Sequence, residues 1–262
     1  MILTDTHTHL YYETEPSKRA ELVKRCLDNK VGRLFLPNVN SATVPLVLNL
    51  CAEYPERCFP MLGLHPCDVK EAADNENRGF LEELKIIRNA IDINKIVAIG
   101  EIGIDLYWDK STLYIQKQAF ITQINWAIEL NLPIVIHCRE AFDELIEILD
   151  QEKNEKLRGI FHCFTGTEEQ AEKVIGLGFL LGIGGVVTYK NSGLDKVLKN
   201  VDLRHIVLET DSPYLAPVPY RGKPNESSYL IYIAQKVADL KQMSIEEVAH
   251  ITTENSMRIF GT

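Results

Sequence analysis

Short runs of β-branched and other apolar residues recur along the chain, and stretches of helical period lie between them. The runs fall at residues 2–5, 33–37, 58–63, 95–101, 133–137, 159–162, 179–183 and 205–209. Between them, residues 17–29 place Ala20, Val23 and Leu27 on one face, and residues 80–91 place Leu81, Leu84, Ile87 and Ile91 on another. Residues 113–130 and 141–149 repeat the same period of about 3.6 residues. Ile134-Val135-Ile136 and Ile206-Val207-Leu208 are apolar at every position, as strands buried on both faces of a parallel sheet are.

Eight strands alternating with helices over this length predict an α/β fold, a (β/α)8 TIM barrel, in a single domain spanning residues 1–262. No Gly-x-Gly-x-x-Gly follows the first run, which removes the usual reason to expect a dinucleotide fold. Two further helical segments, 228–240 and 244–260, are expected on the outside of the barrel.

Barrel chemistry sits at the C-terminal ends of the strands. His7 and His9 end the first run, Glu101 the fourth, His137 the fifth and His162 the sixth; His65 follows the third and Asp211 the eighth. His205, at the start of a run, and His250, in the last helix, read as surface or structural residues. Residues i and i+2 of a strand share a face, so both His7 and His9 can reach one ion. A carboxylate at the end of a buried strand costs several kcal/mol unless it is paired or bound to a cation. Glu101 and Asp211 both meet that description. Together these residues predict a two-metal centre, with His7, His9 and Asp211 on one ion, His137 and His162 on the other, and Glu101 bridging. Nitrogen-rich ligation favours Zn, Mn, Co or Ni, whereas Mg suits oxygen ligands. Two cations about 4 Å apart activate a shared water and stabilise attacking and leaving oxygens, which is hydrolysis at a phosphoryl or acyl centre.

Charge narrows the partner. Lys and Arg number 28 against 37 Asp and Glu, a net charge of −9. That argues against a broad basic face for duplex nucleic acid, but not against a phosphate held by metal ions at one focused site. The six cysteines form no Cys-x-x-Cys pair, so reduced thiols and a cytoplasmic location are expected. No membrane segment or signal peptide is expected either, because no apolar run is long enough and Met1-Ile2-Leu3-Thr4-Asp5 lacks a basic region.

Seven motifs, in order along the chain, carry a resemblance. They are Asp5-Thr6-His7-Thr8-His9, Gly63-Leu64-His65-Pro66, Gly100-Glu101-Ile102-Gly103-Ile104-Asp105, Ile136-His137-Cys138-Arg139, His162-Cys163-Phe164-Thr165-Gly166, Glu209-Thr210-Asp211-Ser212-Pro213-Tyr214 and Arg221-Gly222-Lys223-Pro224-Asn225-Glu226. The sequence resembles the TatD-like metal-dependent deoxyribonucleases of the amidohydrolase superfamily over its whole length. The resemblance implies His7, His9, Glu101, His137, His162 and Asp211 as ligands of two divalent metal ions, and His65 and Arg221 as substrate-phosphate contacts. It implies metal-dependent hydrolysis of DNA, often 3′ to 5′ on single strands, with D-aminoacyl-tRNA deacylation or other ester or amide hydrolysis as the alternative. Asp211 and Glu101 would be catalytic, Asp211 orienting the attacking water and taking its proton. A metal-holding protein without turnover is the third reading; it fits poorly, because structural sites are usually closed and tetrahedral. Two departures stand out. Cys67 replaces a histidine common in the family, and Pro224 replaces an arginine, removing one possible charge-assisted phosphate contact.

Other residues keep two readings each. Glu209 is either a partner for an imidazole or part of a salt bridge in the barrel mouth. Asp105 either caps a helix beginning near Ser111 or braces the metal loop. Arg139 contacts phosphate or, preferentially, fills a structural role beside a carboxylate. Tyr11, Tyr12, Tyr107 and Trp108 either cover the rim or stack unpaired bases. Cys138 and Cys163 read as small core residues, facing away from the centre by strand alternation.

Overall fold

Main-chain hydrogen bonding between the apolar runs produces one parallel eight-stranded sheet in sequential order. The computed structural model describes residues 1–70 and 79–262. The strands are β1 (Leu3–Asp5), β2 (Val31–Pro37), β3 (Cys58–Leu62), β4 (Ala98–Asp105), β5 (Ile134–Arg139), β6 (Gly159–Phe161), β7 (Phe179–Ile183) and β8 (Ile206–Leu208). The two ends of the sheet meet: Thr6 N–H donates to Leu208 O, Asp211 N–H donates to His7 O, and Thr8 pairs with Ser212. The barrel is closed by the residues that carry the first and last candidate ligands.

Helices α1 (Pro16–Asp28), α2 (Val44–Glu53), α3 (Phe80–Ile93), α4 (Leu113–Leu130), α5 (Phe142–Gln151), α6 (Glu168–Gly176) and α7 (Leu194–Asn200) separate the strands. After β8 come α8 (Leu230–Lys241) and α9 (Ile245–Phe260), the latter opened by a reciprocal Ser244–Glu247 cap. Two of the expected helical faces are rotated. Leu81 is 70% exposed, and α3 buries Phe80, Leu84, Ile87 and Ile91 instead; on α1, Leu27 faces outward while Val23 and Cys26 are buried. His205 lies in a short turn just before β8 rather than on it, and His250 sits on α9 beside Glu254 (3.4 Å).

Alternation divides the strand residues between two apolar layers. One set, including Ile99, Ile102, Ile104, Ile134 and Ile136, packs under the helices. The other, including Phe35, Met61, Ala98, Val135, Ile160 and Val207, fills the barrel and is plugged from below by Ile259 and Phe260, with Phe35 and Phe260 stacked 4.1 Å apart. Two residues further up from Val135, Ile160 and Val207 stand His137, His162 and Glu209. An inward position at the bottom of each strand thus predicts the polar residue at its mouth.

The fourth strand breaks this rule, and the break places Glu101. Strict alternation from the inward Ala98 would point Gly100 into the barrel and Glu101 out. Between β4 and β5, however, Ile99 pairs with Ile134 while Ile102 pairs with Ile136, so three steps on β4 oppose two on β5. The extra residue turns Glu101 inward and leaves Gly103 and Asp105 on the same side. The expectation that Glu101 ends the strand is therefore corrected: β4 continues to Asp105. Helix α4 fixes the adjoining loops from outside. Gln116 Nε2 donates to Asp105 O and its Oε1 accepts from Asp105 N–H; one heptad on, Gln123 accepts from Leu64 N–H, next to His65.

Close strand packing leaves no room at Gly159, where a Cβ would lie 1.9 Å from Ile134 O. We expect Gly159→Ala to lower stability by about 3 kcal/mol, read as a lower urea midpoint. Gly176→Ala on α6, where a Cβ meets nothing within 4 Å, should instead raise stability by about 0.5 kcal/mol.

Candidate metal centre

The site is built around the Glu101 carboxylate. Its Oε1 lies 2.7 Å from His162 Nε2, 2.9 Å from His137 Nδ1 and 3.3 Å from His65 Nε2. Its Oε2 lies 3.2 Å from His7 Nε2 and 3.9 Å from His9 Nε2. Asp211 closes the other side, its Oδ1 3.5 Å from His9 Nε2 and 3.8 Å from His7 Nε2. Three overlapping sets of donor atoms are compact enough for an ion: His7, His9 and Asp211; His7, Glu101 and His162; and His65, Glu101 and His137. All six expected ligands are thus brought together. His65, expected to contact substrate, joins them, while Arg221 stands outside the cluster, exposed, with its guanidinium 4.4 Å from the Tyr189 ring centroid.

Hydrogen bonds on the far side of each ring decide what the near side offers. His137 Nε2 lies 2.8 Å from Asp105 Oδ2, so a neutral ring carries its proton there and turns Nδ1 toward the cluster, while a protonated ring donates from Nδ1 to Glu101. His162 Nδ1 faces the buried Glu209 at 3.5 Å, leaving Nε2 for the cluster. His9 Nδ1 is 2.9 Å from the Tyr11 hydroxyl, which leaves Nε2 facing Asp211. His65 is the opposite case. Its Nδ1 accepts from the Cys67 N–H at 3.1 Å, so a neutral ring carries its proton on Nε2 and enters the site as a donor.

Electrostatics describe a site that demands positive charge. Burial raises Glu101, but the imidazoles of His162, His65 and His7 and the hydrogen bond from His137 outweigh it and hold the carboxyl well below its usual range. Burial likewise lowers His162 and His137, yet Glu101 draws the first well above its ordinary value and, with Asp105, raises the second. His7 goes the other way: burial and the neighbouring His162 push it down, and neither of its buried ring nitrogens has a hydrogen-bond partner among the described residues. A buried, neutral, unpartnered imidazole 3.2 Å from a carboxylate is the donor set a divalent cation fits.

Support beneath the cluster comes from Asp5. It is fully buried and accepts from the N–H groups of His7 and Thr210 and from the Thr210 hydroxyl, tying the ends of β1 and β8 together. Burial pushes this carboxyl up to about 7. Asp5 went unassigned in the sequence, although the argument made for Glu101, an acid on a buried strand, applies to it equally.

The open alternatives now resolve. Asp105 braces His137 and accepts from the N–H groups of Tyr107 and Trp108, while Asp109 caps Ser111. Burial raises Asp105, and the His137 contact with the two N–H groups brings it down to about 2. Glu209 is the imidazole's neighbour. Tyr11 is buried against His9 rather than offered to a base. No carboxylate among the described residues pairs with Arg139, which lies over Tyr107 instead. Cys138 packs against the core, but alternation does not reach Cys163: β6 stops at Phe161, Cys163 has φ 46°, and burial with the Asp211 and Glu209 carboxylates pushes its thiol up.

Comparisons with known proteins give the family and the fold. Residues 4–261 match the family model TatD related DNase. The uncharacterized metal-dependent hydrolase YabD of Bacillus subtilis (strain 168) is 40% identical over 260 residues, 99% of each chain. The 3′-5′ ssDNA/RNA exonuclease TatD of Yersinia pseudotuberculosis serotype O:3 (strain YPIII) is 34% identical over 246 residues, 92% of each chain. Among solved structures, the TatD homolog YJJV of Escherichia coli k12 superposes with a TM-score of 0.90 at 26% identity, covering 99% of this chain and 98% of that one.

The bracing role of Asp105 makes a prediction. Asp105→Ala should weaken metal binding by about 10–100-fold, measured by calorimetric titration of the metal-free protein, without unfolding it. Unchanged affinity would mean that His137 needs no orienting partner.

Proposed function

The chain belongs to the TatD-related DNase family of metal-dependent hydrolases, and from that premise we propose that it is a two-metal 3′-to-5′ exonuclease acting on single-stranded DNA. The observation that carries the reading is the convergence of five imidazoles and two carboxylates on one mouth, with His65 set apart as a proton donor. His7, His9 and Asp211 would hold one cation, and His137 and His162 the other, with Glu101 shared. Bound there, two divalent ions supply an activated water and neutralise charge on the phosphoryl oxygens.

The remaining steps belong to side chains. Asp211, whose carboxyl is raised by burial but brought below its usual range by His9, His162 and His7, stays ionised and accepts the proton of the attacking water. Glu101 holds the cluster together. His65 donates from Nε2 to a non-bridging phosphoryl oxygen, where negative charge grows in the transition state. Arg221, over Tyr189, adds a second contact to the phosphate. No helix among the described residues is long and apolar enough to cross a membrane.

A single-stranded oligonucleotide with different dyes at its two ends tests the reading. Incubated with metal-loaded protein, it should shorten stepwise from the 3′ end, and a chelator should stop the reaction. Asp211→Asn should lose at least about 100-fold in turnover while retaining bound metal; unchanged turnover sinks the role given to Asp211. An intact oligonucleotide alongside demonstrably bound metal would move D-aminoacyl-tRNA deacylation to first place.

A further inference from the structure

On the rim beside β4 and β5, Tyr107 and Trp108 stand 49% and 71% exposed, their rings nearly perpendicular with centroids 4.9 Å apart. The guanidinium of Arg139, at the end of β5, lies 3.7 Å from the Tyr107 centroid and 5.5 Å from that of Trp108. The other tryptophan, Trp126, packs against the core with Arg88 over its ring. Contiguous exposed apolar surface, unlike a single scattered ring, marks an interaction site.

Two features tie this patch to the metal centre. Asp105 Oδ1 accepts from the N–H groups of Tyr107 (3.0 Å) and Trp108 (3.3 Å), while Oδ2 meets His137 Nε2. The carboxylate that orients one proposed ligand therefore also anchors the backbone that carries the two rings. Arg139, stacked over Tyr107, keeps the edge of its guanidinium free of any carboxylate among the described residues. The adjacent acid, Glu140, lies 3.9 Å from Lys110. An open aromatic face beside a guanidinium that no carboxylate among the described residues neutralises is the recognition chemistry of a nucleotide, with the base on the ring and the phosphate on the cation.

We propose that Trp108, with Tyr107 and Arg139, forms a stacking subsite that takes an unpaired nucleobase of the substrate strand beside the metal centre. The proposal rests on the nuclease reading and deepens it. Within a duplex each base is stacked on both sides, and only the terminal pair offers a face, so the subsite favours unpaired strands. Affinity at this point comes from ring stacking, which tolerates any base, rather than from edge readout.

The test compares a short oligothymidylate, protected from cleavage by phosphorothioate linkages, with an abasic strand of the same length and linkages. Both are titrated into the metal-loaded protein while tryptophan emission is followed. Oligothymidylate should quench the emission and the abasic strand should not. In Trp108→Phe the quench should vanish, although anisotropy of a dye-labelled strand still reports binding, because phenylalanine also stacks. Trp108→Ala should weaken oligothymidylate binding at least about fivefold, the low end of what one stacked base contributes, and leave the abasic strand unaffected. Equal quenching by both strands, or unchanged oligothymidylate affinity in Trp108→Ala, overturns the subsite. The nuclease reading fails separately: if unprotected strand stays uncut while these binding contrasts hold, the subsite stands and the phosphodiester chemistry falls.

Discussion

A carboxylate taken out of water must be compensated where it is buried, and Glu101 is compensated by four imidazole nitrogens within 3.3 Å. Four strand ends must bring a histidine to the same point, and each ring must be turned the right way round. Asp105 and Glu209 sit behind two of those rings, His137 and His162, and the Cys67 N–H behind a third, His65, while Tyr11 sits behind the neighbouring His9. On the proposed reading, that outer contact, rather than distance from Glu101, separates His65 as a donor from His137 and His162 as ligands.

The scaffold serves the same constraint. The extra residue in β4 is what allows Glu101 to face the interior. Asp5 locks the two strands that close the barrel, so His7 and Asp211 are held from one buried carboxyl. Gln116 and Gln123, a heptad apart on α4, pin the loops that carry Asp105 and His65. These polar residues occupy inward or helix-facing positions that an apolar side chain would otherwise take, and each is satisfied by main-chain partners.

Much of this was legible along the chain. All eight strands lay within a few residues of their runs, because a strand covered on both faces reads as an uninterrupted apolar stretch. The six ligand candidates followed from one rule, that barrel chemistry sits where strands stop. What escaped was non-local. The bulge at Glu101 is a relation between β4 and β5 that neither segment encodes alone. Asp105 and Tyr11 acquire their roles from the ring nitrogens they touch, and spacing does not say which ring that is. Leu81 looked like part of the buried face of α3, yet Phe80 takes that place.

Anomalous diffraction from crystals grown with manganese addresses the central claim most directly. Two peaks about 4 Å apart, with Glu101 between them, His137 Nδ1 and His162 Nε2 on one and His65 outside both coordination spheres, is the predicted result. A single peak remote from Glu101, or His65 Nε2 bound to an ion, would contradict the account.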